Sequence, residues 1–110
     1  MMRVRKKISI LGRINGKIFL QYIFSLANQH AISGWTKSRI GFVEIEAEGA
    51  ISSIIEFICI IHDFSKQLSF SVEIRFHDVK VLNSVDFRII ENDSTINKES
   101  LLTNNMVIYS

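Results

Sequence analysis

In Phe42-Val43-Glu44-Ile45-Glu46-Ala47-Glu48-Gly49 apolar and acidic residues alternate from Val43 to Glu48, and from Ile51 the apolar residues recur instead at Ile51, Ile54, Ile55, Ile58 and Ile61. Period two is the signature of a strand with one apolar face, and spacings of three and four mark an amphipathic helix. The stretch therefore predicts a strand running directly into a helix. Val43, Ile45 and Ala47 face a core, and Glu44, Glu46 and Glu48 face water. Ser52 or Ser53 is placed to cap the helix, whose β-branched residues are mediocre helix formers, so tertiary packing must hold it.

Working outward, both flanks repeat this pairing of periods. Towards the N-terminus, Ile8 and Ile10 alternate within a strand predicted over residues 7–14, and Asn15-Gly16 is a turn signal. Phe19, Ile23, Leu26, Ala27 and His30 then fall on one helix face. A short segment opening at Gly34-Trp35 turns around residues 38–41 into the Phe42 strand. Towards the C-terminus, Phe70, Val72, Ile74 and Phe76 alternate with Ser71, Glu73, Arg75 and His77, and residues 85–89 repeat the alternation briefly. The order is strand, helix, strand, strand, helix, strand, with one more strand behind it. Two one-sided helices and one-sided strands pack most economically as both helices on one face of an antiparallel sheet, the α+β ferredoxin-like β-α-β-β-α-β sandwich. Residues 1–91 form this domain. Residues 92–110, rich in Asn, Ser and Thr and ending in Met106-Val107-Ile108-Tyr109, read as a tail, disordered or supplying an extra edge strand.

Composition excludes several alternatives. A chain of 110 residues, 47% hydrophobic and 22% charged, has room for one core and is not a disordered polymer. It contains no proline, so slow X-Pro isomerisation is not expected in its folding. Thirteen basic against eleven acidic residues give +2, no footprint for nucleic acid, despite a sequence pI near 8.9. A lone Cys59 permits neither an intrachain disulfide nor a cysteine-based zinc site, so a cytoplasmic setting is expected. Arg3, Arg5, Lys6 and Lys7 precede apolar residues as in a signal peptide, but Arg13 and Lys17 interrupt the apolar region. The clean apolar run from Phe57 to Ile61 is far short of the roughly 20 residues a membrane span needs.

Gly12-Arg13-Ile14-Asn15-Gly16-Lys17-Ile18-Phe19 resembles the acylphosphatase signature, roughly Gly-Arg-Val-Gln-Gly-Val-x-Phe-Arg, and Gly34-Trp35-Thr36-Lys37-Ser38 resembles that family's Gly-Trp-Val-x-Asn. The blocks fit without a gap, and the likeness covers about residues 8 to 91. It is specific in its glycines, Phe19, Ala27 and Trp35, and carried only by pattern in the second half. The resemblance implies a strand-to-helix loop whose backbone N–H groups cradle a phosphate, here at Asn15, Gly16, Lys17, Ile18 and Phe19. It also implies acyl-phosphate hydrolysis without metal or cofactor: the signature's closing Arg adds charge to the cradle, and the Asn positions the attacking water. Those two positions are Leu20 and Ser38 in this chain. Leucine neither pairs with phosphate nor donates a hydrogen bond, and serine is shorter than asparagine. The expectation is an acylphosphatase-like protein, catalytically impaired or inactive, that still binds a small anion or acyl phosphate. The alternative is a non-enzymatic module that engages a protein partner or a second copy through a sheet edge and the tail.

Two cations are candidates to replace the missing arginine: Lys17 inside the loop and Arg39 beside Ser38. Arg13 stands at a family position, on a strand, and is not a substitute. Other chemistries are weaker. His30, His62 and His77 lie on three elements, so no metal cluster is expected. In His62-Asp63-Phe64-Ser65, neighbours at such spacing do not face one another on a helix, which argues against a Ser/His/Asp triad. Cys59 reads as a small core hydrophobe, and Trp35 as a core residue.

Overall fold

A computed structural model describes residues 2–12, 16–68 and 72–90. The tail from residue 92, with its proposed edge strand, lies outside the described residues. The elements are β1 (Arg3–Leu11), α1 (Gly16–Gln29), β2 (Ser33–Arg39), β3 (Phe42–Ala50), α2 (Ile51–Leu68), β4 (Glu73–Val79) and β5 (Phe87–Ile89). They form one sheet in the order β4-β1-β3-β2-β5 with both helices packed on it, the expected ferredoxin-like sandwich. The pairings β1–β3, β1–β4 and β2–β3 are antiparallel. The short β2–β5 ladder is parallel, so the sheet is mixed at that edge.

Register explains the core. Ile8 lies opposite Ile45 and Ile10 opposite Val43, on the same face as Ala47. All five are buried against Phe19, Ile23, Leu26 and Ala27 of α1 and Ile54, Phe57 and Ile61 of α2. The aromatic ring of Phe64 stacks on Phe19, 5.7 Å between centroids, and on Tyr22 at 3.9 Å, joining the two helices. That packing accompanies an extension of α2 by about two turns beyond the expected apolar run, to Leu68. No helix among the described residues is long and apolar enough to cross a membrane.

The opposite sheet face differs from the expectation. Glu44, Glu46 and Glu48 do point away from the helices, but Glu44, Glu48 and Arg5 are buried rather than facing water. The chain between β4 and β5 has to pass from one sheet edge to the other. Where it crosses, the Leu82 N–H donates to Glu48 Oε1 (2.9 Å), Arg5 donates to Ser84 Oγ (2.7 Å) and Arg3 to the Ser84 carbonyl (3.0 Å). Arg5 and Arg3 also hold Glu48, at 2.9 and 2.7 Å. Alternation shows which way the glutamates point. It does not show that a later segment covers them.

Three smaller corrections concern single side chains. Trp35 lies opposite Glu46 on this second face and is half-buried, not a core residue. Cys59 is exposed on α2, since the buried stripe runs through Ile54, Phe57, Ile61 and Ser65. On edge strand β4, Phe76 stays 52% exposed although it faces the helix side.

Candidate functional site

The site grows from the junction of β1 and α1. The Gly12 N–H donates to the Gly41 carbonyl in the β2–β3 turn (3.4 Å), which ties the start of the loop to that hairpin. Arg13 and Asn15 lie outside the described residues. Gly16 opens α1, and Phe19, fully buried, anchors its first turn in the core while Lys17 and Ile18 are exposed. Phe19 thus serves as a packing anchor with its side chain, leaving only its backbone near the first turn.

β2 delivers the second half of the site. Ser38 pairs with Val43 on the helix side, and a Cβ placed on Gly16 would come within 2.6 Å of Ser38 Oγ. Gly16 is therefore the residue that lets Ser38 approach the start of α1. One turn along, Leu20 is half-buried against the core and opens into the same space as Ser38. The two positions flagged by the motif comparison, eighteen residues apart in sequence, line a single open cleft of about 560 Å³ together with Lys17 and Gln21 of α1. Arg39 and Ile40 from the end of β2 and its turn, and Ile89 and Ile90 at the end of β5, complete it. The Ile90 N–H donates to the Thr36 carbonyl (2.8 Å), which holds this last segment beside β2.

The cleft's two described cations differ in how free they are. Arg39 donates from Nε to Glu44 Oε1 (2.7 Å), and Lys7 Nζ lies 3.0 Å from Glu44 Oε2. Burial pushes the Glu44 carboxyl up, but the hydrogen bonds from Arg39 and Lys7 outweigh it and hold the group below the usual carboxylate range. The Arg39 guanidinium is thus already engaged. Lys17 is exposed and makes no ion pair with another described residue.

The remaining candidates do not converge. His30 Nδ1 lies 3.3 Å from Glu56, and His62 Nδ1 lies 3.3 Å from its neighbour Asp63. Ser65 is buried and donates to the Ile61 carbonyl (2.7 Å), which removes it from any triad. No group of three His, Cys, Asp or Glu able to hold a metal occurs among the described residues. Gln21, Ile40, Ile89 and Ile90 were not foreseen from the sequence. An isoleucine in a two-residue turn was the one available signal; the position of β5 beside β2 has none.

Comparison with known proteins identifies the family behind this fold. The family model described as Acylphosphatase matches residues 6–89. An acylphosphatase of Bacillus licheniformis is 35% identical over 71 residues, spanning 61% of this chain and 79% of that protein. The crystal structure of the Bacillus subtilis acylphosphatase superposes with a TM-score of 0.66 at 26% identity, covering 81% of this chain and 99% of that one. Full-length HypF, in its phosphate- and nucleotide-bound form, superposes with a TM-score of 0.71 at 28% identity over 83% of this chain, which spans only 12% of HypF. The family model's match to residues 6–89, with the sequence likeness to a known acylphosphatase and the shared fold, places this protein in the acylphosphatase family.

Proposed function

We propose that this chain binds a small phosphate-type anion at the α1–β2 cleft and hydrolyses acyl phosphates very slowly or not at all. One observation carries the reading: Leu20 and Ser38, which stand where the family signature has Arg and Asn, line the cleft at the start of α1. The first turn of a 14-residue helix favours an anion through its backbone dipoles, and Gly16, Lys17, Ile18 and Phe19 form that turn. Lys17 adds a mobile point charge, which suffices to bind a phosphate but does not fork around it as a guanidinium does. Asn15, outside the described residues, belongs to the same proposed cradle.

Hydrolysis asks for more than binding. Water must be held in line with the scissile P–O bond while charge on the equatorial oxygens is stabilised. The apolar Leu20 side chain offers no donor for that charge, and the Ser38 hydroxyl, packed towards Gly16, has less reach than a carboxamide. Loss of one preorganised donor costs roughly 10² to 10³ in rate, and two losses in one site leave little turnover.

Benzoyl phosphate hydrolysis by the purified chain tests this. The rate should lie near background and rise by about 10²-fold or more in the double variant Leu20→Arg, Ser38→Asn. Robust turnover by the unaltered chain, abolished by Ser38→Ala, overturns the reading. A folded double variant without activity shows that the loop geometry has departed as well.

A second reading, an interaction module, has one observation in its favour: β4 forms an outer edge of the sheet and leaves its own Phe76 half-exposed. Removing residues 92–110 should then alter the oligomeric state while leaving residues 1–91 folded. An unchanged sedimentation profile ends that reading for the tail.

A further inference from the structure

The cleft is larger and greasier than a bare phosphate requires. Its volume, about 560 Å³, falls in the range of sites for small organic molecules rather than single ions. Leu20 forms part of one wall, Ile89 and Ile90 part of another, and Ile40 stands fully exposed on the β2–β3 turn at the rim. Scattered apolar residues on a surface need no explanation. Here four of them, from three separate segments, border one concavity in which Lys17 is the cation without an ion pair among the described residues. Arg39 is turned to Glu44, so the charge within the cleft is concentrated on the α1 side.

We infer that the cleft takes a phosphate monoester of an apolar alcohol, with the phosphate at Lys17 and the alkyl or aryl body along Leu20, Ile40, Ile89 and Ile90. The inference rests on the anion-binding reading above and adds the body of the ligand to it. Inorganic phosphate gains nothing from apolar walls and keeps most of its hydration. An apolar alcohol without phosphate leaves Lys17 unused. Only a molecule with both parts removes the isoleucine and leucine surface from water while placing an anion beside the ammonium. Leu20 acquires a positive role in this arrangement: the residue that weakens hydrolysis extends the apolar wall. Gln21, neutral and on the rim, adds no charge that would repel either part.

Parallel titrations of the full-length chain with inorganic phosphate, n-hexyl phosphate and 1-hexanol, followed by amide and methyl NMR shifts, test this. Hexyl phosphate should bind about tenfold or more tightly than inorganic phosphate, since burial of a few methylenes suffices for that ratio. Its shifts should include the amides of Gly16 and Lys17 and the methyls of Leu20, Ile40, Ile89 and Ile90. Ile40→Ser and Ile90→Ser should each lower the ratio of the two affinities, and Lys17→Gln should weaken both phosphates. Equal affinities for the two phosphates overturn the inference and leave the anion site standing. Hexanol binding as tightly as hexyl phosphate, with no response to inorganic phosphate, overturns both the inference and the anion reading. Absence of binding by all three probes does the same.

Discussion

Gly34 shows what a single residue contributes beyond its place in a motif. Its φ is +130°, and a Cβ there would lie 1.9 Å from the Glu46 carbonyl oxygen on the neighbouring strand. No side-chain movement relieves a clash with backbone. Gly34→Ala should therefore destabilise the fold by about 3 kcal/mol or more, read from urea denaturation midpoints. The glycine of the Gly-Trp block is thus needed to seat β2 against β3, which in turn carries Ser38 to the start of α1. Gly16 is different, because its nearest obstacle is the tip of a serine that can rotate. Leu20, Ser38 and the glycines were all legible as motif positions. Their convergence in one cleft was a property of the fold they belong to.

At the scale of elements, α1 ends in a way that no amphipathic pattern announces. The Ile32 N–H reaches back to the Ala27 carbonyl (2.9 Å), and Ala31 between them sits at φ 54°. This is a Schellman-type stop whose left-handed position is usually glycine, and an alanine there carries a Cβ penalty. Ala31→Gly should accordingly stabilise the protein by about 0.5–1 kcal/mol, measured as a rise in the denaturation midpoint at unchanged slope. Strand limits were less legible than helix faces. Val85 was expected to begin the last strand but is 94% exposed, because only Phe87, Arg88 and Ile89 find partners on β2. Alternation of side chains records a strand's two faces; it does not record where its neighbour stops.

For the molecule as a whole, the buried charges under the β4–β5 crossing matter most. Burial by itself would raise the Glu48 carboxyl, but the Leu82 N–H and the Arg3 and Arg5 guanidinium groups together hold it at about 2, against an ordinary 4.5. Between those values the unfolded chain binds a proton that the folded chain does not, so stability rises with pH through this window. The contribution is fully present above about 4.5 and is lost as pH falls towards about 2. Denaturation midpoints followed from pH 7 downward should show this acid loss, and Glu48→Gln should flatten it. Equal acid slopes in the two proteins would place the acid sensitivity elsewhere. Glu48→Gln should also lower stability at neutral pH, because Arg5 keeps Glu46 (2.8 Å) but loses its buried counter-ion.

Periodicity alone determined the order of elements and which faces are apolar, since both are local consequences of 2.0 and 3.6 residues per repeat. The two motif blocks determined the family resemblance and the positions of Leu20 and Ser38. Three things were decided only by tertiary structure: the burial of Glu48 beneath residues 82–84, the parallel seat of β5 on β2, and the apolar wall that Ile40, Ile89 and Ile90 lend to the cleft. Each depends on where a segment lies relative to another remote in sequence, and that placement comes from sheet order and a crossing connection rather than from any local pattern.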